Sequence, residues 1–180
     1  MKKFFLFTLL LALFFSFNSF KKVYYGLPQE QKANQALDVI SNEVAKNFNL
    51  EFLLSGYSFS ETSENAVWLV SFKSSEKLTQ KDSSIFVKQF MKTFLEKMRN
   101  NRVFNEYLKK SDNNSFSKRT FRDDLFALKL SFWDENMDRP LAPYIAQIRV
   151  ADNNVYYYYA DPKTQALQEP PITEPLSLNP

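Results

Sequence analysis

The chain has 180 residues, with 23 Lys and Arg against 20 Asp and Glu, and it contains neither His nor Cys. The missing residue types exclude an imidazole base, a thiolate nucleophile, a disulfide and any metal bound by His or Cys. Gly26 and Gly56 are the only glycines, so the chain cannot build the Gly-rich loop that cradles phosphates in nucleotide-binding enzymes.

The first twenty residues have the pattern of an export signal. Lys2 and Lys3 precede a nearly uninterrupted apolar run at residues 4–17 (FFLFTLLLALFFSF), and this arrangement is typical of a secretory signal. The run is shorter than the roughly 20 residues that a membrane-spanning helix needs. We expect residues 1–20 to be a signal peptide that is removed. The alternative is an uncleaved anchor at residues 4–20, because no clear cleavage site with two small residues follows the run.

A first helix is predicted to begin at Pro28, because proline suits the first helical position, where its missing N–H has no partner. Apolar residues then recur at spacings of three and four as far as Val44. This spacing indicates a surface helix with one apolar stripe. The polar side chains between them, Asp38 among them, are expected to be solvated.

A strand pair is predicted after the first helix. The apolar phase of the first strand shifts by one residue between Leu54 and Tyr57, which predicts a bulge at Gly56. The second strand covers residues 66–72 (AVWLVSF). Its nearly continuous apolar character indicates that both of its faces are covered, or that its large side chains pack elsewhere.

The clearest helix signal follows the second strand. Thr79 with Asp82 three residues later forms a helix start signal, and apolar residues recur with helical spacing from Val87 to Met98. A short further helix is predicted after Asn101.

Three more strands are predicted in the second half of the chain. Apolar and polar residues alternate over residues 126–133 and 144–150, and the last strand is residues 155–160 (VYYYYA). Residues 151–154 (ADNN) predict a tight hairpin turn between the last two strands, because Asp and Asn tolerate positive φ.

The element order α-β-β-α-β-β-β predicts an α+β domain. We expect a two-layer sandwich in which two amphipathic helices cover one face of an antiparallel sheet of four to five strands. One domain is expected over residues 21–160. Residues 161–180 hold five of the eight prolines, which favours a disordered tail.

Charge is separated along the chain. Residues 88–122 carry ten basic and three acidic side chains, whereas residues 123–180 carry four and nine. On the long helix the basic side chains alternate with the apolar stripe, so they form a candidate binding surface, although solvated helix backs are commonly charged as well. The residues of this basic helix face are Lys88, Lys92, Arg99 and Arg102.

Carboxylates are the acid–base groups that remain, and glycosidases need two of them at a set separation. The candidates are Asp123, Asp124, Asp134 and Asp138. Residues 134–138 (DENMD) also begin like a calcium-binding loop, but Arg139 and Ile145 stand where that loop needs glycine and glutamate. We therefore interpret the segment as a polar loop, and we predict no catalytic residue, metal site or cofactor.

The four tyrosines at 156–159 resemble a platform on which a sugar or a peptide could stack. Strand alternation puts Tyr157 and Tyr159 on one face and Tyr156 and Tyr158 on the other, and tyrosine is common in strands. This favours a structural role for the run.

We expect an exported, non-enzymatic binding domain, periplasmic, extracellular or held at the envelope by its N-terminal segment. It would bind a protein or an anionic envelope component through the basic helix face or an exposed sheet edge, and export argues against nucleic acid. The alternatives are a carboxylate-dependent hydrolase acting on a glycan and a carrier of a small molecule or lipid. A hydrolase needs two carboxylates in one cleft, and a carrier needs an apolar cavity of roughly 300 Å³ or more.

Overall fold

The computed structural model describes residues 28–59, 66–110 and 126–178, so the predicted signal segment at residues 1–20 lies outside the described residues. Within these ranges no helix is both long enough and apolar enough to cross a membrane. The described elements, in chain order, are α1 (Pro28–Asn47), β1 (Glu51–Phe59), β2 (Ala66–Ser74), α2 (Gln80–Asn100), α3 (Arg102–Lys110), β3 (Phe126–Phe132), β4 (Gln147–Ala151), β5 (Asn154–Tyr158) and β6 (Ile172–Pro175).

The six strands form one mixed sheet in the order β1 to β6. Neighbouring strands are antiparallel except β2 and β3, which are parallel. The prediction of a mixed helix-and-strand domain is confirmed, but the antiparallel sheet of four to five strands is wrong. α3 is the short further helix predicted after Asn101, so three helices rather than two cover the sheet. The connection from β2 to β3 passes through α2 and α3, and a crossover of this length lets the chain return in the same direction.

The ends of the helices follow the local sequence signals. The Thr79 side chain accepts a hydrogen bond from the Asp82 N–H at 3.3 Å at the start of α2. Asn101 separates α2 from α3, and its Oδ1 accepts the Phe104 N–H at 2.9 Å. Each contact satisfies an N–H group that has no partner within the helix.

One face of the sheet carries an aromatic core against the helices. The Trp68 ring on β2 lies 5.1 Å from that of Phe104 on α3, and Phe72 lies 5.1 Å from Phe90 on α2. Leu37 on the inner side of α1 is buried in the same core. Because alternate residues of a strand point to the same face, all three helices cover the face that holds Trp68 and Phe72, which gives two layers.

The polar side of α1 is not wholly solvated. Asp38 is 6% exposed, and the Ser55 hydroxyl on β1 donates a hydrogen bond to its Oδ1. The prediction for Asp38 is therefore wrong. The buried stripe of α1 also contains the polar residues Asp38 and Ser41. A pattern of apolar residues alone cannot mark these positions.

The irregularity in β1 lies before the glycine. The register against β2 shifts between Phe52 and Leu54, so the extra residue is Leu53, and Gly56 lies in a regularly paired stretch beyond it. The predicted bulge at Gly56 is wrong. Leu53 and Leu54 are 46% and 49% exposed. Neither leucine therefore marks the buried side of β1, although the predicted bulge treated the apolar residues of this strand as buried.

Residues 161–178, expected to belong to a disordered tail, contain the sixth strand. β6 pairs with β5, and the Leu176 N–H donates to the Asn153 carbonyl at 2.8 Å. Leu176 and Leu178 pack against the core. The prolines are compatible with this arrangement because β6 is an edge strand, where one side needs no N–H donor.

Candidate functional site

The second face of the sheet, on the side of Ser71, Lys129 and Arg149, has none of the described helices against it, and its centre is basic. We call it the uncovered face. Lys129 on β3 and Arg149 on β4 are direct partners across the two strands, and both side chains are exposed. The Cβ atoms of such partners are about 4.5–5.5 Å apart, and like charges at this distance destabilise a sheet. Neither cation makes an ion pair with another residue in the described ranges.

The row through these two cations continues on both sides. Ser71 on β2 pairs with Lys129, and Tyr156 on β5 pairs with Arg149. Ser71 is buried between longer neighbours, and Tyr156 is half-exposed. The row therefore presents a short side chain, two cations and an aromatic ring to one side of the sheet.

Lys73 brings a third cation to the same face. It lies two residues beyond Ser71 on β2 and pairs with Ser131 on β3, and its Nζ lies 3.4 Å from Met137 Sδ. Glu51 on β1 pairs with Lys73 and is the only acid among the described strand positions of this face. We call Lys73, Lys129, Arg149 and Tyr156 the sheet-face cluster.

The edge of the same face is apolar. Leu54 pairs with Ser71 and therefore lies on the side of the sheet-face cluster, with the inserted Leu53 beside it. We call these two residues the leucine edge. Large apolar side chains that remain exposed as a group often mark a surface that contacts a partner.

The residues of the basic helix face lie in the helical layer, on the opposite side of the domain. Lys92 and Arg99 are exposed on α2, and Lys88 is half-buried. Arg102 donates a hydrogen bond from Nε to Glu106 at 2.7 Å, and this bond raises the pKa of Arg102.

Acidic residues compensate part of the charge on the helices. Glu106 binds Arg102, and Glu43 on α1 binds Lys97 at 2.7 Å. Glu96 is exposed on α2 between Lys92 and Arg99. The binding role of the basic helix face stays a prediction, and its cations have more acidic neighbours than those of the sheet-face cluster.

Among the described residues, the candidate carboxylates do not form the pair that a glycosidase needs. Asp123 and Asp124 lie outside the described residues. Asp134 Oδ1 accepts the N–H groups of Asn136 and Asp138, both at 2.9 Å, so this carboxylate closes its own loop. Among the residues that the structure describes, no group of three or more Asp or Glu side chains could hold a metal ion.

A cleft of about 330 Å³ opens beside the end of β2. Five of its six lining residues are polar, and neither Asp134 nor Asp138 contributes to it. It therefore has neither the paired carboxylates of a hydrolase nor the predominantly apolar walls of a carrier. The lining residues are Asn49, Leu50, Glu51, Lys73, Ser74 and Ser75.

The tyrosine run is divided between the two faces. Tyr157 is fully buried, and its hydroxyl donates a hydrogen bond to Oε1 of Glu174 on β6. The Ser84 hydroxyl on α2 donates to the same oxygen at 2.6 Å. Burial, with the Glu174 bond as a second cause, raises the pKa of Tyr157. Tyr157 therefore helps to hold β6 against β5 and the core through Glu174, whereas Tyr156 lies on the uncovered face.

Lys73, Lys129 and Arg149 do not stand out in the sequence. The available signal was that Lys129 and Arg149 occupy polar positions in two alternating strands. That signal becomes informative only with the register, which makes these two residues direct partners.

Comparison with known proteins identifies no relative: no family, no curated protein and no solved structure matches this chain.

Proposed function

We propose that the protein is a non-enzymatic binding domain, exported to the cell envelope, that holds an anionic partner on its uncovered sheet face. The pairing of Lys129 with Arg149 carries this proposal. Two opposed cations cost stability when they are alone. An anionic group between them would replace that repulsion with charge-assisted hydrogen bonds.

The surroundings of the pair support the same function. Lys73 adds a third cation, and Tyr156 adds a half-exposed ring with a polar hydroxyl. Tyrosine combines a large contact area with a polar end, which suits binding surfaces. Export is proposed from the apolar pattern of residues 4–17.

A hydrolase and a carrier have less support. The Asp134 carboxylate is already engaged by two backbone N–H groups of its own loop. The cleft beside β2 is lined with Glu51, Lys73 and two serines, whereas a lipid or drug-sized ligand is usually held by apolar walls.

Retention on immobilised heparin, a sulfated polyanion, tests the proposal. The sheet-face variant is Lys129→Glu with Arg149→Glu, and the matched control on the helices is Lys88→Glu with Lys92→Glu. Both variants change the net charge by the same amount. We expect the sheet-face variant to lose about tenfold or more in affinity, roughly 1.4 kcal/mol or more, and the helix variant to elute close to the unmodified protein.

Two outcomes would contradict the proposal. Equal losses in both variants would mean that heparin senses only the net charge. A loss confined to the helix variant would instead support the basic helix face of Lys88, Lys92, Arg99 and Arg102 as the binding surface.

A further inference from the structure

We infer that the anionic partner is a lipid bilayer, and that the row of Leu54, Lys129 and Arg149 on the uncovered face contacts an anionic membrane surface. Leu53 and Leu54 would be inserted among the headgroups. This inference rests on the proposed function, and it names the partner of the same face. It depends on the position of the leucine edge relative to the three cations.

Leu54 and the cations occupy one side of the sheet, and Leu53 is the extra residue next to Leu54. Leu54 and Lys129 both pair with Ser71, one from each neighbouring strand, so they flank the same short residue. Leu53 and Leu54 keep about half of their surface exposed. A soluble polyanion offers nothing to these leucines, whereas a bilayer offers anionic headgroups and hydrocarbon together.

The pattern of side-chain lengths suits a flat surface. Ser71 and Ser131 lie low between the cations and are buried, while Lys129 and Arg149 extend beyond them and are exposed. Long basic side chains can lay their stems along apolar surface and keep the charged end at the headgroups. Tyr156 beside Arg149 is an aromatic residue of the type that favours the membrane–water interface.

Pairing with a further strand explains the leucine edge less well. β1 is an edge strand of the sheet, and such an edge can accept a strand from another chain. The extra residue at Leu53 interrupts the regular ladder at the position where the leucines are exposed, and bulges of this kind oppose edge-to-edge pairing. A membrane contact through the side chains needs no regular ladder.

Lysine footprinting on vesicles tests the inference with the full chain. The protein is mixed with vesicles of phosphatidylglycerol and phosphatidylcholine, or of phosphatidylcholine alone, and is then acetylated and analysed by mass spectrometry. We expect the reactivity of Lys129 to fall severalfold on the anionic vesicles only, because the headgroups that attract its ammonium group also shield it from the reagent. Lys81 and Lys92, exposed on α2, should stay reactive, whatever residues 4–20 do at the membrane.

Two double variants separate insertion from simple attraction. Leu53→Ser with Leu54→Ser removes the leucine edge, and Val39→Ser with Ile85→Ser removes two exposed apolar residues from the helices. We expect the leucine variant to lose most of the Lys129 protection while its retention on heparin is unchanged. The helix variant should behave like the unmodified protein in both measurements.

The outcomes distinguish the inference from the function beneath it. If heparin retention requires Lys129 and Arg149 but Lys129 stays reactive on anionic vesicles, the proposed function holds and the bilayer is the wrong partner. If heparin retention is independent of both cations, the proposed function fails as well. If the leucine variant is protected like the unmodified protein, or the helix variant loses protection equally, the insertion of Leu53 and Leu54 is overturned. Leu54→Ala alone is a milder second variant that keeps Lys129 as the reporter if the leucine double variant does not fold.

Discussion

The two faces of the sheet are built from the same strands but differ in composition: one is apolar and buried, and the other carries exposed cations at its centre. On β3, Leu128 and Leu130 are buried in the core, and Lys129 between them is exposed. On β4, Ile148 and Val150 are buried in the same way on either side of Arg149, which is exposed. Strand alternation thus places the apolar residues against the helices and a pair of like charges on the opposite side.

The comparison separates residues that stabilise the fold from residues that do not. The covered face stabilises the fold because it buries apolar surface and packs aromatic rings closely, so changes there should alter the free energy of unfolding. The cations of the uncovered face oppose one another across β3 and β4, so changes there should alter binding and leave the fold intact. Each variant below changes one face while the other stays as it is.

Trp68→Ala should have the largest effect on stability. The Trp68 ring is buried against Phe104 and Tyr107, and removing a buried aromatic side chain costs about 3–5 kcal/mol, partly through the cavity that remains. Urea unfolding followed by circular dichroism measures the loss. Tyr156→Ala on the uncovered face should cost clearly less, and equal losses would contradict the distinction between the two faces.

Ser55→Ala and Ser71→Ala make the same chemical change on opposite faces. Ser55 donates a hydrogen bond to the buried side chain of Asp38, so its loss should destabilise the domain by about 1–3 kcal/mol, because a buried acceptor loses a donor. Ser71 is buried between Leu54 and Lys129 on the uncovered face and binds no carboxylate of the described residues, so its replacement should cost clearly less than that of Ser55. Parallel urea titrations compare the two variants, and similar values would contradict the assigned contact.

Tyr157→Phe should cost about 1–2 kcal/mol near neutral pH, because the Glu174 carboxylate loses a hydrogen-bond donor. Burial raises the pKa of Tyr157 in the folded state. Its contribution is therefore complete below the unfolded pKa of about 10 and falls as the pH rises above that value, because the unfolded chain then releases the proton more readily.

The difference in stability between the unmodified protein and Tyr157→Phe should therefore shrink above about pH 10. Thermal unfolding at several alkaline pH values measures this trend. Tyr156→Phe is the control, since Tyr156 is half-exposed on the uncovered face. A difference that stays constant with pH would contradict the role of the buried hydroxyl.

Local periodicity was sufficient for the covered face. The apolar spacing on α2 matched its buried residues from Val87 to Met98. On β3 the alternation correctly assigned the four large apolar side chains to the core, but Ala127 and Ser131 on the opposite face are buried as well. These signals are local because each helix or strand reports its own buried side through its own spacing. The Thr79 start signal of α2 was local in the same sense.

Features that depend on distant partners were not predictable in this way. The parallel pairing of β2 with β3 depends on a crossover, and β6 is held by Glu174 through bonds to Tyr157 and Ser84, which are remote in sequence. The composition of residues 161–178 contains no sign of those bonds.

The candidate site depends on register in the same manner. Lys129 and Arg149 are twenty residues apart in sequence, and neither local window shows that they are partners across two strands. The sequence alone therefore favours a candidate surface on α2 and α3, where a single window holds several cations.

Lys129→Glu should have the smallest effect on the fold and the opposite sign. The new carboxylate would stand directly across from Arg149, so a repulsive pair becomes an attractive one and stability should rise by about 0.2–1 kcal/mol. Urea titration measures the gain, and heparin retention of the same variant should fall because the anion site has lost a cation. A destabilised Lys129→Glu would mean that the two side chains are not opposed as described. If the variant is more stable but still binds heparin like the unmodified protein, the repulsion between Lys129 and Arg149 does not indicate an anion site. The proposal that the uncovered face is a binding surface would then have no support.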